Sequence, residues 1–198
     1  MAPRAESGST GLRPRLSFRT ARFLVDLAQP RVMAIVNVTP DSFSDGGLFA
    51  DSRSAMAHCE QLLREGADIL DIGGESTRPG ARKPDADEEL ARVLPVLRHA
   101  VTLGVPVSVD TSEPKVMRAA LDLGVDIVND VRALQREGAL AAVAAHPHAG
   151  LCLMHMQGEP GSMQAAPQYG DVVAEVAAFL ARRRDAALAA GIAAERIA

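Results

Sequence analysis

One short unit recurs along this chain, and it restricts the fold more than any other feature. A helix-patterned stretch ends at a glycine, four to six mostly apolar residues follow, and then a polar residue. Gly66-Ala67-Asp68-Ile69-Leu70-Asp71 and Gly124-Val125-Asp126-Ile127-Val128-Asn129 are two copies. Short apolar runs alternating with helices predict parallel strands joined by helical crossovers, with both sheet faces covered. The predicted strands are 32–36, 67–72, 105–109, 125–128 and 151–154. The predicted helices are 52–65, capped by Asp51 or Ser52; 87–103, kinked at Pro95; one capped by Ser112 with Pro114 in its first turn; 138–145; and one from Asp171.

The dinucleotide fingerprint G-x-G-x-x-G is absent after the first strand, which argues against a Rossmann sheet. The better match is the (β/α)8 TIM barrel, whose sites lie at the C-terminal ends of the strands. Polar residues sit at those ends here: Asn37, the segment 75–78, Asp110, Asn129 and His155. Only about five βα units are present in the 198 residues, and 196–198 could begin a sixth strand. A closed barrel needs eight strands and about 250 residues. The expected layout is a disordered N-terminal tail over 1–20 and the N-terminal part of a barrel over 21–198. A transit peptide is the other reading of the Arg-rich first twenty residues.

Composition narrows the function classes. The net charge of −4 and an aromatic content of 3% argue against a nucleic-acid binder, which needs basic excess and stacking surfaces. No run approaches the roughly 20 apolar residues of a membrane span. Cys59 and Cys152 read as buried free thiols of a reducing, cytoplasmic compartment. Arg182, Arg183 and Arg184 read as the solvated face of the last helix.

Two loops are too polar and too long for ordinary connections. Asn37-Val38-Thr39-Pro40-Asp41-Ser42-Phe43-Ser44-Asp45-Gly46-Gly47 follows the first strand, and Gly73-Gly74-Glu75-Ser76-Thr77-Arg78-Pro79-Gly80 follows the second. Thr77 and Arg78 offer a hydroxyl and a planar guanidinium for phosphate, or else an ordinary surface pair. Asn37 offers a neutral oxygen that suits Mg2+. Asp110 is either a carboxylate for a ligand with adjacent N–H groups or a structural group bonding the next helix. Asn129 either reads a heterocycle edge or fills the barrel interior. Asp71 and Asp130 read as structural; His155 is left without a role.

These two loops, with Val109-Asp110-Thr111, Val128-Asn129-Asp130-Val131 and Met154-His155-Met156-Gln157-Gly158, resemble the dihydropteroate synthase family from about Arg31 onward. The resemblance implies a barrel that joins 6-hydroxymethyl-7,8-dihydropterin diphosphate to 4-aminobenzoate, giving 7,8-dihydropteroate and diphosphate for folate synthesis. It further implies Mg2+ at Asn37, the diphosphate end of the pterin substrate at Thr77 and Arg78, and the pterin ring on Asp110 and Asn129. Val131 and Met154 would pack on that ring, and Phe43 and Pro79 would shape the aminobenzoate site. Members continue past a sixth strand with an Asp-Pro-Gly-x-Gly-Phe-Gly-Lys segment, a Lys-Ser-Arg loop and a final Arg-x-His. The 198-residue piece is therefore expected to be inactive, and the full-length form to be a homodimer. Two rivals share the pterin logic: a methyltransferase barrel using methyltetrahydrofolate, and a non-catalytic pterin-binding paralogue.

Overall fold

The structure is a computed structural model that describes residues 16–39, 47–75, 83–164 and 166–198. It opens with an antiparallel hairpin, β1 (Ser17–Arg19) and β2 (Leu24–Asp26). Five parallel strands follow: β3 (Met33–Asn37), β4 (Ile69–Gly73), β5 (Val107–Asp110), β6 (Ile127–Asp130) and β7 (Gly150–Leu153). They pair in chain order. Helices α1 (Gly47–Arg64), α2 (Ala86–Ala100), α3 (Pro114–Leu123) and α4 (Ala139–Ala144) connect them, and α5 (Val172–Ala189) follows the last. Strictly sequential pairing with no reversal of direction is barrel topology; a doubly wound sheet reverses at a switch point. Beyond the short 3-10 helix Ala194–Arg196, Ile197 bridges Leu151 in parallel, so the expected sixth strand does begin here.

Alternation along each strand separates two cores. Val36, Leu70, Ile72, Val107, Val109, Val128 and Leu151 face the helices and join Val93, Val96, Leu97, Met117 and Val143 in one cluster. Met33, Ile69 and Ile127 face the lumen near its lower end, where Phe18 and Val25 of the hairpin plug it, and Cys152 packs against the same cluster. At Gly150 any side chain would collide with that plug, since an added Cβ would lie 2.9 Å from Phe18 Cζ. Strand β1 falls inside the segment expected to be a tail, which is a correction to that boundary. Three ladder-forming residues and one buried Phe carry too weak a periodic signal to read alone.

The hairpin is fastened at its turn. Asp126, fully buried, accepts from the Arg22 backbone N at 3.0 Å, from Arg22 Nε at 3.0 Å and from Nη2 at 2.6 Å. It also accepts from the Val107 amide at 2.9 Å. Four donors on one buried carboxylate meet the requirement that an interior charge be paired and hydrogen-bonded.

Several local expectations are adjusted. Helix α1 starts at Gly47, ahead of the expected Asp51 or Ser52 cap. Helix α2 continues through Pro95 to Ala100 and is started by Asp85, which accepts from the Asp87 and Glu88 amides in a capping box. Ser112 does not cap α3. Its hydroxyl donates to Asp130, and Thr111 Oγ1 accepts from the Glu113 amide at 3.0 Å. Both cysteines are free, Cys59 buried and Cys152 half-buried, and burial pushes the Cys59 thiol up to about 11. Among the described residues no helix is long and apolar enough to cross a membrane.

Helix α2 reaches the C-terminal end of β4 only because Gly74 lacks a side chain. A Cβ there would lie 2.9 Å from Val93 Cγ1 and 3.0 Å from Glu89 Cγ. Glu89 beneath it is fully buried, and neither carboxyl oxygen has a hydrogen-bond partner among the described residues. Burial pushes it up to about 7; the Thr111 hydroxyl pulls down, and Glu75 and Glu113 push up.

Two outcomes are expected. D126A should lower unfolding free energy by about 3 kcal/mol in urea denaturation, because Arg22 and the Val107 amide lose their acceptor. An unchanged midpoint would refute that. Glu89 retains its proton in the folded state over a range, from about 4.3 to about 7, in which the unfolded chain has lost it. Its contribution is therefore complete at low pH and is lost as pH rises through about 7. E89Q should flatten the fall in stability between about pH 5 and about pH 8, and parallel wild-type and E89Q curves would contradict this.

Candidate active site

Parallel pairing sets side chains of neighbouring strands in rows. The row at the C-terminal ends reads Asn37, Gly73, Asp110, Asn129, Cys152, each residue the ladder partner of the next. The row below contains Ile35, Asp71, Ser108 and Ile127. The polar residues singled out from the sequence on β3, β5 and β6 therefore share one level, as predicted.

Asp110 and Asn129 are direct neighbours in that row. No hydrogen bond reaches the Asp110 carboxylate among the described residues, and the N-terminus of α3 is served by Thr111 instead. Asp110 is thus not bonding the next helix. Burial first, then the negative charges of Asp71, Asp130, Glu89 and Glu75, push it up to about 7. Such a group accepts two adjacent N–H donors gladly, because they restore the stability of its charged form.

Asn129 is bonded within the barrel interior, one of the two roles expected of it. Its Nδ2 donates to Asp71 Oδ2 at 2.9 Å inside the barrel, and its carbonyl oxygen has no partner among the described residues. Asp71 is 3% exposed, and burial raises it despite the Ser108 hydroxyl and the Asn129 amide. Asp71 thereby fixes which end of the Asn129 amide faces the lumen.

Val131 and Met154 are half-buried beside these groups, just past the ends of β6 and β7. The Met154 amide bonds Asp130 O at 3.4 Å. Asp130 is structural: Oδ1 accepts from Ser112 and from the Arg132 amide at 2.9 Å, and Oδ2 from the Leu134 amide at 2.8 Å. His155 packs against Phe179 at 4.9 Å, edge to face, and against Tyr169 at 5.8 Å. Asn37 is exposed at the end of β3, where it borders a cavity of about 630 Å³ with Ile35, His58 and Gln61. Thr77, Arg78, Phe43 and Pro79 lie outside the described residues.

The sequence pattern did not reveal three groups. Arg183 is not on the solvated face of α5: Nε donates to Ala133 O at 2.7 Å and Nη2 to Leu134 O at 3.1 Å. Arg132 has only 9% of its side chain exposed and bonds Glu159. Glu89 is buried behind Gly74. The contacts of both arginines are with residues 27 or more positions away, so no local spacing marks them.

No group of three or more His, Cys, Asp or Glu among the described residues could hold a metal. A single carboxamide oxygen such as that of Asn37 nevertheless fits Mg2+, which is commonly held by one or two protein oxygens with phosphate and water completing the shell.

The family described as "Pterin binding enzyme" matches residues 33–198. Dihydropteroate synthase of Neisseria meningitidis serogroup C is 54% identical over 182 residues, covering 91% of this chain and 64% of that protein. The Escherichia coli K12 enzyme is 48% identical over 174 residues, covering 87% and 61%. Among solved structures, Burkholderia cenocepacia dihydropteroate synthase complexed with 7,8-dihydropteroate superposes with a TM-score of 0.80 at 47% identity, covering 91% of this chain and 61% of that one. Xanthomonas albilineans dihydropteroate synthase with 4-aminobenzoic acid gives 0.83 at 50%, covering 92% and 65%. The chain spans a little under two thirds of the length of these relatives. The sequential parallel sheet, the row of polar strand ends and the match over 33–198 agree: the chain belongs to the pterin-binding enzyme family.

Proposed function

We propose that this chain carries the N-terminal part of a dihydropteroate synthase. That enzyme condenses 6-hydroxymethyl-7,8-dihydropterin diphosphate with 4-aminobenzoate to give 7,8-dihydropteroate and diphosphate. The observation that carries the reading is the Asp110–Asn129 pair. A carboxyl group poised near neutrality stands beside an amide whose orientation Asp71 sets, at the mouth of a barrel. A pterin edge, with adjacent N–H donors and ring acceptors, complements this pair. The solved relatives holding 7,8-dihydropteroate and 4-aminobenzoic acid support it.

In this reading Val131 and Met154 pack on the ring. Thr77 and Arg78 bind the diphosphate end, and Phe43 and Pro79 close over the aminobenzoate. Asn37 would hold Mg2+, which when bound would neutralise diphosphate charge. The departure of diphosphate leaves positive charge on the pterin methylene, which the aromatic amine then attacks. The protein's tasks are to hold the ring, to align the amine and to exclude water, so a strong general base is unnecessary. The full-length protein acts in the cytoplasm as a homodimer.

The test begins by sequencing the reading frame past Ala198 and assaying its full product. Diphosphate release should require both 4-aminobenzoate and Mg2+, and the 198-residue chain alone should give no product. D110N should lower kcat/KM for the pterin substrate about 100-fold and affect the KM for aminobenzoate far less. Turnover by the 198-residue piece, or a D110N variant with undiminished pterin kinetics, would overturn the reading.

A further inference from the structure

The turn after β6 is built under strain. Ala133 (φ 51°) and Leu134 (φ 57°) are both left-handed without being glycine. Such a conformation is costly for a residue with a side chain and persists only where neighbours enforce it. Here two clamps enforce it. Asp130 takes the Arg132 and Leu134 amides from within, and Arg183 of α5 takes the Ala133 and Leu134 carbonyls from outside.

The product of this turn is the placement of Arg132, a guanidinium almost wholly removed from water. Its Nε and Nη2 donate to Glu159 Oε2 at 3.2 and 2.8 Å, in the segment after β7. Those bonds hold Glu159 below the usual carboxylate range. Its Nη1 points the other way, buried, with no hydrogen bond among the described residues. The nearest charge to it is Glu75 Oε2 at 3.8 Å, at the root of the loop after β4. Among the described residues, Lys83 and Arg136 both pair with Glu113. A cavity of about 440 Å³ lined by Lys83, Gln135, Met156 and Gly158 adjoins the group and leaves room for the segments to shift.

We propose that Arg132 is a positioning residue that ties the exit of β4 to the segment after β7, through Glu75 on one side and Glu159 on the other. The exits of β4, β6 and β7, which lie around Asp110, Asn129 and Met154, then move together. The role assigned to those exits rests on the proposed function, but the linkage does not require turnover.

Amide hydrogen exchange on the 198-residue chain, without substrate, tests it. In R132M exchange should quicken roughly tenfold both at 72–75 and at 157–163, with α2 and α3 unchanged. Acceleration confined to 131–134 would overturn the proposal. Should R132M fail to fold, E159Q decides, since Glu159 has 73% of its side chain exposed and is safe to change. Loss of that negative charge leaves Glu75 as the charged partner of Arg132. Exchange should therefore quicken at 157–163 and slow at 72–75, a pair of opposite signs that simple loosening cannot produce. No change at 72–75 would sink the linkage. A failed synthase assay with this exchange pattern intact would count against the proposed function only.

Discussion

Everything at the upper end of this molecule depends on parallel pairing in register. Because each strand aligns with the next residue for residue, Asn37, Gly73, Asp110, Asn129 and Cys152 occupy one level although more than a hundred positions separate the first from the last. A slip of one residue on any strand would turn its polar residue toward the helices and bring an apolar one inward. The outward-facing valines, leucines and isoleucines packed beneath the helices make such a slip expensive, so the hydrophobic layer fixes the geometry of the polar one.

The two ends of the barrel treat buried charge in opposite ways. At the lower end Asp126 is saturated by four donors, and its charge serves attachment. At the upper end Asp71, Asp110 and Glu89 stand close together with little compensation, and all three are raised. Unsatisfied acidic groups are a stability cost that a purely structural surface would have lost. Asp71 and Asp110 lie at the end where the proposed function seats its ligand.

How much was legible in the residues follows from the range of each signal. The strands and helices were readable because burial repeats every two or every 3.6 residues, within one segment. The row of polar strand ends followed, because barrel topology assigns strand ends to one face. Asn37, Asp110 and Asn129 were placed in one row this way. Ser112 illustrates the limit: it has the chemistry of a cap, but Asp130, eighteen residues on, takes its hydroxyl. Arg183 illustrates it again, since nothing distinguishes it from exposed Arg182 and Arg184 except the turn it meets fifty residues earlier. The hairpin was missed for a similar reason: Arg22 meets Asp126, and Phe18 meets Gly150, more than a hundred positions away.

That last feature has a meaning in time. Arg22 and Asp126 are 104 residues apart, and Phe18 meets Gly150 farther on still. At typical synthesis rates roughly 5–20 s separate the emergence of the hairpin from that of its anchor. During that interval Phe18 and Val25 have no pocket to enter, and the hairpin waits for β6 and β7, the fourth and fifth parallel strands, to be made. The hairpin, made before the parallel strands, thus settles after them, and its docking reports that the strands in between have already closed ranks.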